Sequence, residues 1–151
     1  MSLLAIVKAK AIVERASVYR DSAFSVPNDA WTAIPFNLEH WDTDTMHDTV
    51  TNSERITCKA AGVYISIGNV SWAANNVGNR MLGIRKNNSD WVALVNDQAL
   101  SSGGKILLVA TVMEMAVNEY VELMVWQNRG GNLDVIFSAG NSPEFMLVRI
   151  I

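Results

Sequence analysis

Arg55-Ile56-Thr57-Cys58-Lys59-Ala60-Ala61-Gly62-Val63-Tyr64-Ile65-Ser66-Ile67-Gly68-Asn69-Val70-Ser71-Trp72 is the stretch that decides the fold. It reads as two strands joined by a tight corner at Ala61-Gly62. Its second half is rich in β-branched and aromatic residues, which suit a pleated, half-buried surface. Side chains alternate along a strand, so Val63, Ile65 and Ile67 share one face and Tyr64, Ser66 and Gly68 the other. The first face is wholly apolar and the second only partly polar. Such a strand is covered on both sides, by its own core on one and by a partner sheet or subunit on the other.

Composition agrees. A chain of 151 residues suits one domain with a real core; we divide it into an N-terminal arm, 1–8, and a single domain, 9–151. Hydrophobic residues make up 50% and charged residues only 18%, against about a quarter charged in ordinary soluble domains. No run reaches the ~20 apolar residues of a membrane span, so no membrane insertion is expected and the apolar surplus points to a subunit interface. A net charge of −3 and a pI near 5.3 lack the basic footprint of a nucleic-acid binder. Residues 1–7 lack the charged and long apolar regions of a signal peptide, so synthesis in the cytoplasm without a leader is expected. Cys58 is the one cysteine; it forms no internal disulfide and reads as a small buried hydrophobe rather than a nucleophile.

Outward from the deciding stretch, strand signals recur. Ala9–Tyr19 is expected as a strand, although its Ala and Glu content favours helix. Trp31–Phe36 is a short strand with Pro35 marking an edge or bulge. Asn37–Asn52 is the longest irregular stretch. Arg80–Arg85 and Trp91–Val95 form a hairpin around a polar turn. Lys105–Met115 is a long apolar strand. Glu119–Gln127 alternates, with Val121, Leu123 and Val125 on one side and Tyr120, Glu122, Met124 and Trp126 on the other. Leu133–Phe137 and Phe145–Ile151 complete nine or ten strands with no convincing helix. The class is an all-β sandwich or barrel.

The order of motifs carries a resemblance. Trp31-x-x-Ile34-Pro35-Phe36 precedes Trp41-Asp42-Thr43-Asp44, then the stretch from Arg55 with Ala61-Gly62-Val63-Tyr64. Ile84-Arg85-Lys86-Asn87 follows, then Asn118-Glu119-Tyr120-Val121-Glu122-Leu123, and finally Phe145-x-x-x-Arg149-Ile150. Together they resemble the jelly-roll family shared by tumour necrosis factor and the globular head of complement component one, subunit q, in its bacterial and bacteriophage branch. Asn118-Glu119 stands where that family usually has Gly-Asp. The resemblance spans about 11–151. It implies a two-sheet antiparallel jelly roll assembling as a compact homotrimer, with Val63, Ile65 and Ile67 facing partner subunits, Tyr64 facing the core, and Leu108 a further candidate at the three-fold axis.

Other site candidates are weaker. Asp42, Asp44, His47 and Asp48, with His40 nearby, could hold a divalent cation: calcium through oxygens, zinc through histidines. The stretch lacks the glycine and terminal glutamate of a calcium loop, and the paired histidines of a metal-binding cupin, so no metal and no cofactor is expected. No nucleophile elbow, phosphate loop or dinucleotide fingerprint occurs. Glu114, Glu119 and Glu122 read as solvated edge residues, and the chain is not expected to be an enzyme. Of the five tryptophans, Trp91, beside Asn87, Asn88 and Asp90 at a hairpin tip, is the best exposed candidate for stacking on a sugar. The expected function is a trimeric virion or cell-surface module of bacteriophage type: a head decoration, a fibre or a receptor-binding tail domain. It would bind capsid or tail proteins, or a host receptor or glycan. The alternatives are a lectin-like carbohydrate reader and a metal-dependent jelly-roll enzyme.

Overall fold

The computed structural model describes residues 13–100, 102–138, 140 and 143–151. The arm 1–8 and the start of the Ala9–Tyr19 segment lie outside these residues. Twelve strands are described: β1 (Arg15–Tyr19), β2 (Phe24–Val26), β3 (Thr32–Ala33), β4 (Leu38–Asp42), β5 (Arg55–Thr57), β6 (Gly62–Trp72), β7 (Asn79–Lys86), β8 (Asp90–Gln98), β9 (Lys105–Met115), β10 (Tyr120–Gln127), β11 (Leu133–Val135) and β12 (Glu144–Arg149). Every pairing is antiparallel.

Two sheets stack. In the larger, β6 is central: β9 runs along one side for its full length, and β12 then β11 take the other. Beyond β12 come β1 and β4, and β2 edges β11. In the smaller sheet β10 pairs β7, β7 pairs β8, and the short β3 and β5 share the free side of β10. β5 and β6 belong to different sheets, so Cys58–Ala61 carries the chain from one layer to the other.

The core lies between the layers. Tyr64, Val70 and Trp72 of β6 meet Leu82, Ile84, Leu123 and Val125 of the smaller sheet, all fully buried. Gly68 points inward too. A Cβ there would run into the Leu123 side chain, so glycine lets the sheets approach at their middle.

Two expectations need correction. The stretch Asn37–Asn52 is not irregular throughout, because Leu38–Asp42 forms β4 against β1 with a bulge between Ser17 and Val18. Its mixed polarity hid the strand: Glu39 and His40 are exposed and Leu38 is half-buried, so no clean alternation appears. Only Thr32–Ala33 of Trp31–Phe36 pairs. Ile34 and Phe36 bend into the core as lids and are fully buried.

Candidate functional site

The larger sheet turns an apolar face away from the core. Register sets Ile65 between Val112 and Val148, and Ile67 between Ala110 and Met146. Leu108 stands opposite Asn69, and Val63 opposite Glu114. The edge strand β9 leaves this face widely open: Ile106 is 58% exposed, Leu108 62% and Val112 59%. Val63, Ile65, Ile67, Met146 and Val148 are half-buried by their neighbours. Polar residues ring the patch. His40 stacks on Tyr19 with ring centroids 4.3 Å apart and lies 3.5 Å from the Glu144 carboxylate. Arg15 closes the β1 side, opposite Val148.

All four interface candidates, Val63, Ile65, Ile67 and Leu108, share this face. Ile106, Ala110, Val112, Met146 and Val148 join them. The alternation within Lys105–Met115 could have found the β9 members: Leu107, Val109 and Met115 are buried and Met113 packs against the core, while Ile106, Leu108, Ala110, Val112 and Glu114 alternate with them and are exposed.

The stretch from His40 to Asp48 is organised for backbone support. The Asp42 carboxylate accepts from the N–H groups of Asp44 (3.1 Å), Met46 (3.0 Å) and His47 (2.9 Å). Asp48 accepts from Val50 and Thr51, and these bonds hold its carboxyl below the usual aspartate range. Asp44 takes the Thr43 hydroxyl at 2.7 Å. The His47 side chain is buried, with Nδ1 2.9 Å from Glu39 Oε1 and Nε2 3.0 Å from the Ser53 carbonyl. Both ring nitrogens are thus engaged by the protein. Among the described residues no group of three or more His, Cys, Asp or Glu side chains is arranged to hold a metal ion. A polar pocket of about 450 Å³ does open beside this stretch, lined by Asp48, Asn52, Arg55, Lys59 and Tyr120 among others.

Glu122 corrects the reading of the glutamates as solvated edges. It points to the outer face of the smaller sheet yet is only 3% exposed. Arg85 reaches it at 3.0 Å and Arg55 at 3.8 Å, and the Arg55 guanidinium also lies over the Tyr120 ring at 4.3 Å. Burying a carboxylate is tolerable only with such partners. At the β7–β8 turn, Asn87 donates to Glu119 and accepts from the Tyr120 N–H, so its amide is committed to the fold. Asn88, Asp90 and Trp91 are exposed. Trp91 meets Trp31, with centroids 4.4 Å apart, and Trp126 lies 6.4 Å beyond Trp31. Sequence reading isolated Trp91 because Trp31 arrives from a distant loop. Cys58 is fully buried, its thiol pushed up by burial and donating to the Ala60 carbonyl.

No protein-family model and no curated protein matches the sequence. Solved structures do. The chain superposes on Eiger TNF from S. frugiperda with a TM-score of 0.67 at 12% identity, covering 92% of this chain and 93% of that one. Murine APRIL, in a crystal structure at pH 5.0, gives 0.69 at 8% identity, with 92% and 100% covered. The globular domain of zebrafish complement 1qA gives 0.61 at 16% identity, with 91% and 98% covered. Likeness at such identities speaks for architecture alone: the chain folds as an all-β, TNF-like jelly roll.

Proposed function

We propose that the chain is a non-enzymatic binding module that works as a compact homotrimer, with copies of itself covering the outward face of the larger sheet. The observation that carries this is the apolar patch running across β9, β6 and β12. Monomers rarely leave a contiguous apolar surface of more than a few hundred Å² in water, and each side chain of this kind gains roughly 1.5–3 kcal/mol on full burial. A second copy fits better than an unrelated partner, because the jelly-roll family that the motifs around this central strand resemble implies assembly as a homotrimer.

A rigid trimer presents three identical sets of loops, and linked weak contacts become strong ones by effective concentration. The finer reading is a virion or cell-surface component of bacteriophage type, engaging capsid, tail or host-surface partners. The motif resemblance from Arg55 to Val70 supports it.

Ile67→Glu tests the assembly. Three carboxylates would be brought to a dry interface without partners, which costs several kcal/mol each. Sedimentation velocity should show the variant as folded monomer or as aggregate. A variant that sediments as wild type at low concentration contradicts the interface.

A further inference from the structure

We propose that the outer face of the smaller sheet carries a carbohydrate site, in which Trp31 and Trp91 hold one pyranose ring by its C–H face. This face lies on the opposite side of the sandwich from the apolar patch, so the trimer does not account for it.

The two indoles touch, with centroids 4.4 Å apart and planes inclined at 51°. A ligand ring therefore lies across their outer faces rather than between them, and the pair serves one ring rather than two successive units of a chain. Trp31 is 37% exposed and Trp91 43%, and Leu94, two strands from Met124 on the same face, is 55% exposed.

The pair is seated rigidly. Trp91 lies over Gly83, where a Cβ would come within 2.7 Å of its ring. Met124 stands beside Gly83 in register and also points outward, yet is only 2% exposed. The tryptophans therefore roof the sheet with their inner faces and offer their outer faces to solvent. Two large, stiff side chains fixed in this way lose little entropy when a ligand arrives.

The surroundings select the ligand. Arg85 stands opposite Trp91 in register on this outward face, with Glu122 3.0 Å from its guanidinium. Asn96 is exposed on the same outward face, two residues beyond Leu94. Guanidinium and amide donors beside an aromatic floor match the equatorial hydroxyls and apolar C–H face of a hexose. Two indoles and a leucine fall far short of the ~800 Å² per partner of a stable protein interface.

The test uses the intact protein with ¹⁵N-labelled indoles. Methyl β-glucoside, methyl β-galactoside and N-acetylglucosamine are titrated separately. At least one should shift the Nε1–H signals of Trp31 and Trp91 saturably, with a dissociation constant on the order of 1–10 mM. The signal of the fully buried Trp72 should stay in place. Trp91→Leu keeps an apolar cover over Gly83 but removes the aromatic face, and should weaken binding at least about tenfold, as should Trp31→Leu. No saturable shift with any of the three sugars overturns the proposal. So do equal shifts in either leucine variant. A lower particle mass in either variant also overturns it, since the patch would then be a contact between copies. Particle mass reports the trimer and indole shifts report the sugar, so the two readings fail separately.

Discussion

Tyr64 shows what one residue does between the sheets. Its hydroxyl donates to the Glu14 carboxylate at 2.6 Å and lies 2.7 Å from the Ala60 carbonyl, while the Ala60 N–H donates to the same carboxylate. Burial first, then Cys58 and Glu14, push the phenol far above its ordinary value of 10.0. A folded-state value raised in this way means that the neutral phenol is favoured in the fold. The associated stability is complete below pH 10 and is lost as pH rises beyond it. Urea unfolding between pH 8 and 11 should therefore show wild type losing more stability than Tyr64→Phe, whose cost at pH 8 should be about 1–2 kcal/mol. Equal slopes for the two proteins would remove Tyr64 from the account. Arg80 is a second such residue. It is 1% exposed, and its guanidinium donates to the carbonyl oxygens of Asn75, Val77 and Asn79 and to the Asn75 side-chain oxygen. Burial and the nearby Arg129 lower its pKa.

Among the elements, the turn before β10 is held by a charged side chain. Asn118 takes φ 71°, a left-handed conformation that asparagine tolerates better than most residues. Glu119 ties the turn down, accepting from the Ala116 N–H at 2.9 Å, Lys86 at 3.2 Å and Asn87 at 2.9 Å. The Ala116 bond first, then Lys86 and Asn87, hold its carboxyl below the ordinary 4.5. A lowered folded-state value gives stability that is present above the unfolded value and lost as pH falls through the folded one. Glu119→Gln should be less stable than wild type at pH 7, and the difference should shrink as the pH drops below 4.5; thermal melts across that range measure it. A gap that stays constant to pH 3 would contradict this role.

Legibility followed the same physics. β6, β7, β9 and β10 were readable because each alternates between a buried and an outward face. β4 and the pairing of β3 were not, since short strands at sheet edges carry polar outward residues and little periodicity. Spacing divides Val63 to Gly68 into two faces, and the family resemblance says which of them turns inward. The packing of Glu122 between two arginines and the meeting of Trp31 with Trp91 could not, because both depend on register between distant strands.

For the whole molecule, the asymmetry of the two sheets is the main fact. The smaller sheet covers much of its outer face with its own side chains: Glu122 with Arg85 and Arg55, and Met124 beneath the tryptophans. The larger sheet leaves Ile106, Leu108 and Val112 uncovered. Such a difference within one sandwich is what an assembly around the larger sheet requires, and it accounts for a composition that is half hydrophobic. Among the described residues no helix is long and apolar enough to cross a membrane. Absolute mass by light scattering after size exclusion, at micromolar concentration, tests the central claim most directly. A value near three times 16.6 kDa is the predicted result; a clean monomer of 16.6 kDa would contradict it.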